Sequence, residues 1–305
     1  MVSESLFPPD FCQTLQTRHL IIKQIRTFFD KRNYIEVETP LRVICPGVDP
    51  YIDALPAGHG FFLSTSPELQ MKRLLGVGIA RIYQITHAFR ANEQGVHHNS
   101  EFSLLEWYRV GTGYSGLMDE TEELLESIIH NVNIGCKDVP EYTFPFPRIT
   151  IDDLFKEQAG WEPSKAWDEN RYFADWVEKI DPYLGQLQGV FIMDFPAPLA
   201  SLSKIKDDNP LICERFELFM RGIEIANAFT ELTDYEEQVT RFEIALEARI
   251  RKGKDAYEID EKFLEALKVG IPACAGIALG VDRLVMALLG YNDISMVQTF
   301  PHCRL

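Results

Sequence analysis

Apolar residues recur at helical spacing between Asp10 and Arg32, where Leu15, Ile21, Ile22, Ile25, Phe28 and Phe29 form one stripe, so the first element is an amphipathic helix. Tyr34–Pro40 (YIEVETP) alternates and stops at proline, as an edge strand does. Residues 41–60 are rich in Pro and Gly and read as loop. Phe61–Leu75 reads as a short strand, a turn and a helix, with Ser66 placed to cap that helix and Pro67 suited to its first position. Arg81–Arg90 and Glu101–Val110 have strand character and are joined by the polar loop ANEQGVHHNS, which predicts a long hairpin. A helix over 114–134 turns Leu117, Leu124, Leu125, Ile128 and Ile129 toward a core. Residues 135–210 read as short helices separated by Pro-rich turns. Arg215–Leu232 has strand character with a Gly near its centre, and helices follow over 234–252 and 260–268, the second capped by Asp260. Cys274–Gly290 is a Gly-punctuated strand running into a helix closed by Gly290. Strands outnumber crossover helices in the second half, which favours an α+β fold, an antiparallel sheet flanked by helices.

A length of 305 residues with 46% hydrophobic and 25% charged positions is that of an ordinary globular protein able to bury its own core. No internal repeat or low-complexity linker divides the chain, so a single domain over 1–305 is expected. No stretch approaches the run of apolar residues that a membrane span requires. The N-terminus MVSESLFPPDFC lacks the basic and apolar regions of a secretion signal, so a cytoplasmic location is expected. Cys12, Cys45, Cys136, Cys213, Cys274 and Cys303 are scattered without a CxxC pair, which suits reduced thiols and gives no clustered zinc ligands. The formal net charge of −16 argues against a protein that grips nucleic acid along its phosphates. It suits a basic protein partner, or serves solubility alone.

Three stretches carry candidate chemistry. In the hairpin, Arg90 ends one strand, and period-2 geometry puts Phe102, Leu104, Glu106 and Tyr108 on one face of the other. Charged groups on an otherwise apolar face must be used or paired, and an internal Arg90–Glu106 ion pair would satisfy that equally well. Farther along, a tight turn near Met220–Arg221, relieved by Gly222, would set Glu217 and Glu224 across a hairpin, an arrangement that makes sense around a divalent cation. Separately solvated carboxylates are the plainer alternative. In GIALGVDR, glycines permit close approach of a ring or phosphate, and Arg283 stands where a helix start favours an anion. Pairing of Arg283 with Asp282 is the structural alternative.

The order of these stretches is more specific than any one of them. TSPELQMKRLL, FRANEQGVHHNSEFSLLEWY, GIEIANAFTEL and GIALGVDRLVM, spread from about residue 11 to 290, resemble the three motifs of class II aminoacyl-tRNA synthetases, in the lysyl branch. The chain starts almost at the first motif helix, so the N-terminal anticodon-binding domain of lysyl-tRNA synthetases is expected to be absent. EFSLLEWYR and GIALGVDRLVM are similar to the stand-alone elongation factor P β-lysine ligase family.

That resemblance implies ATP and Mg²⁺ as cofactors, (R)-β-lysine or lysine as small substrate, and elongation factor P as acceptor. It also implies a homodimer with the first helix and the YIEVETP strand at the interface, and no stable nucleic-acid binding. Arg90 resembles the motif 2 arginine on the α-phosphate and Arg283 the motif 3 arginine on the γ-phosphate. Glu217 and Glu224 resemble the Mg²⁺ pair. Asn92, Glu93, His98, Asn99, Glu224, Ile225 and Gly280 fall in the nucleotide site. Ser66, Pro67, Glu68, Glu106, Tyr108, Asn227, Glu231 and Ala278 fall in the lysine-type site, with Glu68 on the substrate amine and Glu106, Tyr108 and Glu231 on the side-chain ammonium. The chain departs from the usual motif 2 FRNE in that Glu93 comes one position later. Ala228 and Ala278 stand where lysyl-tRNA synthetases usually carry glycine, and the Ala278 methyl favours a β-amino acid. A minimal ligase acting on tRNA and a catalytically silent regulatory paralog are the alternatives.

Overall fold

The computed structural model describes residues 7–8, 10–132 and 141–305. Cys136 and the end of the expected 114–134 helix lie outside them.

The chain opens with α1 (Phe11–Lys31), β1 (Ile35–Glu36), β2 (Arg42–Val43), β3 (Phe62–Leu63), α2 (Glu68–Leu75), and the hairpin β4 (Arg81–Phe89) and β5 (Glu101–Val110). Next come α3 (Tyr114–Asn131), β6 (Arg148–Thr150), α4 (Ile151–Ala159), α5 (Glu169–Asp175), a π-helical turn Trp176–Ile180 and α6 (Asp181–Leu184). The last third holds β7 (Gly189–Pro196), β8 (Ile205–Lys206), β9 (Asn209–Met220), β10 (Ile223–Thr230), α7 (Tyr235–Arg251), α8 (Glu261–Val269), β11 (Cys274–Gly280) and α9 (Val281–Leu289). The main sheet runs β1-β4-β5-β11-β10-β9-β7-β6, with β8 added to β9. It is antiparallel as the sequence predicts, except that β1 on β4 and β6 on β7 pair in parallel at its two ends.

One face of the sheet packs on α1, α3 and α9. Trp107, Leu105, Leu218, Phe216 and Ile277 meet Ile25, Phe29, Leu117, Leu124 and Val285 there, each fully buried large apolar side chain contributing roughly 1.5–3 kcal/mol. Phe29 lies against Tyr83 and Trp107, with ring centroids 4.6 and 5.3 Å away. A second cluster ties Tyr108 and Ile82 to α2, α7 and α8.

Two expectations need correction. The sequence pattern predicts helices and turns over 135–210, yet that stretch holds β7, which is buried along almost its whole length. A strand covered on both faces shows a continuous apolar run instead of alternation, so its period is hidden. Also, α2 starts at Glu68 with Pro67 at the N-cap position. Ser66 stands one residue earlier, and its hydroxyl accepts the Glu68 N–H at 3.1 Å.

Candidate active site

Strand register builds the floor of the site. Glu106 lies opposite Ala278, Ala278 opposite Asn227, and Asn227 opposite Glu217. Directly opposed residues share a face, so these four form a row across β5, β11, β10 and β9. A neighbouring row runs Tyr108, Gly276, Phe229, Arg215. The two-residue turn Arg221-Gly222, with φ of 53° and 75°, closes the β9–β10 hairpin. A β-bulge between Glu224 and Ala226 lets Glu224 share a cleft with Glu217 although the two are not opposed. That cleft encloses about 1440 Å³ and extends from Glu68 and Glu231 to Arg90, His98 and Arg283.

At one end is a buried acidic pocket. Glu106 accepts hydrogen bonds from the Ser66 hydroxyl and from Tyr108 Oη, the latter at 3.0 Å. Lys72, itself 2% exposed, pairs with Glu68 at 2.6 Å and with Glu231. Burial, reinforced by Glu68, pushes the Glu106 carboxyl up to about 8. Burial also raises Glu231 despite the Lys72 ammonium, while the carboxylates around Lys72 outweigh its own burial and raise it too. Three carboxylates thus face one ammonium. Gly276 is what makes room for them, since a Cβ there would stand 2.2 Å from the Tyr108 ring and 2.3 Å from Glu231 Oε1.

At the other end are two arginines. Arg90 meets Glu93 only at 3.7 Å, with its guanidinium 5.1 Å from the Phe102 ring centroid. Its Nε is buried and without a hydrogen-bond partner among the described residues. The alternative Arg90–Glu106 pair is not formed. Arg283 donates to the His97 carbonyl at 3.2 Å and to the Glu224 carbonyl at 3.0 Å, and meets the Glu224 carboxylate at 3.3 Å. Its Nη2 is 2.7 Å from His98 Nε2, and because a guanidinium only donates, that nitrogen is the acceptor and the neutral ring carries its proton on Nδ1. Burial, reinforced by Arg283, holds both imidazoles below their usual range. Asp282 does not pair with Arg283; it binds Arg18 of α1 at 2.6 Å and accepts the Ser103 N–H and the Gln298 amide.

Between the ends, Arg215 donates to Glu217 at 2.6 Å, to Asn227 Oδ1 at 3.0 Å and to the Leu199 carbonyl at 2.9 Å. Burial, offset by Arg215 and reinforced by Glu224, raises the Glu217 carboxyl.

Of the residues singled out from the sequence, Ser66, Glu68, Arg90, Glu93, His98, Asn99, Glu106, Tyr108, Glu217, Glu224, Ile225, Asn227, Glu231, Ala278, Gly280 and Arg283 border the cleft. Pro67 is buried behind it at the start of α2, and Asn92 occupies a left-handed loop position with φ 63° away from the lining. Asn99 is tied to the Glu101 carbonyl and the His302 N–H. Lys72, Arg215 and Gln238 escaped sequence reading. Lys72 at i+4 from Glu68 and Arg215 two residues before Glu217 follow helix and strand periods, which is a usable signal; Gln238 carries none.

The chain matches the family of tRNA synthetases class II (D, K and N) over residues 5–304. It belongs to that family. Three curated relatives are named elongation factor P–(R)-β-lysine ligase. The one from Vibrio cholerae serotype O1 is 34% identical over 100% of both chains. Those from Vibrio vulnificus and Yersinia enterocolitica are 36% and 38% identical over 96% and 94% of this chain and 97% and 94% of their own. They place the chain in the elongation factor P–(R)-β-lysine ligase branch of the family. A ligase of this class uses ATP.

Proposed function

We propose that this protein activates (R)-β-lysine as an adenylate and passes it to a lysine side chain of elongation factor P. The observation that carries the reading is the row Glu106–Ala278–Asn227–Glu217, which lies between a buried pocket with surplus carboxylates and a pair of cleft-facing arginines. A second ammonium, beside that of Lys72, is what such a pocket suits. A triphosphate is what the arginines suit.

In the first step the substrate carboxylate attacks the α-phosphorus, the bond to the β-phosphate oxygen breaks, and pyrophosphate leaves. Arg90 meets the charge that grows on the α-phosphoryl oxygens, and its orphaned Nε supports that role. Arg283 takes the terminal phosphate. In the second step a lysine amine of the acceptor attacks the acyl carbon, AMP leaves and the amine loses a proton. No side chain acts as nucleophile; the protein supplies position and charge. Glu217 and Glu224 fit a divalent cation, as hard carboxylate oxygens beside the phosphates, and Mg²⁺ there would neutralise phosphate charge. Glu93 and Gly280 border the nucleotide, and Asn227, oriented by Arg215, borders the substrate carboxylate.

Because Glu106 and Glu231 both sit at about 8 in the free protein, holding a further ammonium requires protons to leave them. Affinity for the amino acid is therefore expected to weaken by about ten- to a hundredfold for each pH unit below that value, as one or both protons must leave, and to level off above it. Calorimetry in buffers of differing ionisation enthalpy would register the released proton; a pH-independent affinity would remove Glu106 from the pocket.

Ala278→Gly is expected to shift preference toward α-lysine, by no more than about 10–200-fold for one methyl. Amino-acid-dependent ATP–pyrophosphate exchange with both substrates reads the ratio, and an unchanged ratio would clear Ala278 of a specificity role.

The deciding experiment is the intact mass of elongation factor P after incubation with this protein, ATP, Mg²⁺ and either α-lysine or (R)-β-lysine, with tRNA as a parallel acceptor. The expected result is a gain of one lysyl unit, stronger with β-lysine. Charged tRNA with unmodified factor would overturn the reading. We also infer a homodimer across α1 and β1, whose exposed Leu20 and Ile35 suit a covered face; light scattering at micromolar concentration tests it.

A further inference from the structure

Helix α7 starts from Asp234, whose side chain accepts the Glu237 N–H. Its first inward-facing turns carry Gln238 and Phe242, which are 0% and 3% exposed. Phe242 belongs to the apolar cluster that also holds Tyr108, and Gln238 and Phe242 both border the cleft. A helix packed into such a cluster would ordinarily present only apolar groups here.

Gln238 breaks that pattern. Both Oε1 and Nε2 are buried and without a hydrogen-bond partner among the described residues, and the side chain borders the cleft. Buried amides are almost always paired. Apart from its contact with Lys72, Glu231 also has no hydrogen-bond partner among the described residues for either carboxylate oxygen. Unsatisfied acceptors from two different elements therefore border the same cleft.

We propose that Gln238 is a specificity-determining ligand of the substrate's side-chain ammonium, an inference that rests on the lysine-type reading above. In this role its Oε1 would accept one ammonium N–H and its Nε2 would donate to a neighbouring carboxylate, which would fix the amide's orientation. A neutral acceptor suits this place. Glu68, Glu106 and Glu231 already crowd three carboxyl groups around Lys72, and a further carboxyl would only raise the proton affinity of the others. The amide adds direction without adding charge, so it discriminates an ammonium from an apolar chain end of equal length.

The test uses the full-length protein, ATP, Mg²⁺ and (R)-β-lysine or L-lysine in ATP–pyrophosphate exchange, with Gln238→Leu and Gln238→Met. Both variants remove the two polar atoms while keeping most of the volume. The expected result is a rise in KM for the amino acid of about 10–100-fold, with KM for ATP within about twofold and the melting temperature not lowered. A purely packing role would leave the amino-acid KM at the wild-type value in whichever variant folds, and that result overturns the proposal; the methionine variant decides if the leucine variant does not fold. A wild-type protein that shows no exchange with either amino acid counts instead against the lysine-type reading itself.

Discussion

Arg90→Ala is expected to lower amino-acid-dependent ATP–pyrophosphate exchange by about 10²–10³-fold, the usual consequence of removing one donor aimed at developing charge. The physical reason lies in how little the free protein asks of this side chain. Its ion-pair contact with Glu93 is 3.7 Å long, its ring contact is with Phe102, and its Nε has no hydrogen-bond partner among the described residues. A structural arginine would bind several fixed acceptors, as Arg249 does with the carbonyls of Asp49, Ile52 and Asp255. Alanine at position 90 should therefore leave the melting temperature nearly unchanged while the exchange rate collapses. Thermal unfolding and exchange kinetics on the same preparation check both halves. A variant that unfolds early but exchanges normally would mean that Arg90 is a packing residue.

Gly276→Ala is the second substitution expected to act strongly, and through the opposite cause. The added methyl carbon would fall 2.2 Å from a Tyr108 ring carbon and 2.3 Å from Glu231 Oε1. Neither neighbour can retreat easily, since both are buried and each belongs to the pocket. Overpacking of this kind costs about 1–3 kcal/mol of stability, and a displacement near 1 Å of a positioning group costs about 10²-fold in rate. The expected signature is a modest loss of melting temperature with a loss of kcat/KM for the amino acid of about that size, while KM for ATP stays close to wild type. Wild-type kinetics in a folded variant would show that the pocket is looser than these contacts require.

The β4–β5 hairpin was legible from its aromatic and branched residues and from the polar loop between its strands, not from alternation, since β5 is buried continuously from Leu104 to Tyr108; α9 was legible because it follows a glycine-punctuated strand. β7 was not legible, because a strand apolar on both faces carries no alternation. The two arginines and most of the carboxylates of the site could be named from motif order, and register brings them together. What order could not convey was partnership across the fold. Lys72 four residues after Glu68 looks like an ordinary exposed helix pair; only the arrival of Glu231 from β10's far end turns it into a buried triad. Arg215 likewise becomes the anchor of Glu217 and Asn227 only once β9 and β10 are side by side. Buried polar networks depend on tertiary neighbours, and a linear pattern does not carry them.

The four contacts of Arg283 have a kinetic meaning. Before nucleotide arrives, its guanidinium is already engaged by the His97 carbonyl, the His98 ring and Glu224. If Arg283 takes the terminal phosphate as proposed, these tethering contacts compete with it, so affinity for a triphosphate would report an exchange of partners and not a simple capture. Such an exchange would release His97 and His98, which belong to the segment between β4 and β5. A nucleotide lacking its terminal phosphate would leave the tethers in place, which makes the state of that segment a gauge of how many phosphates the cleft contains.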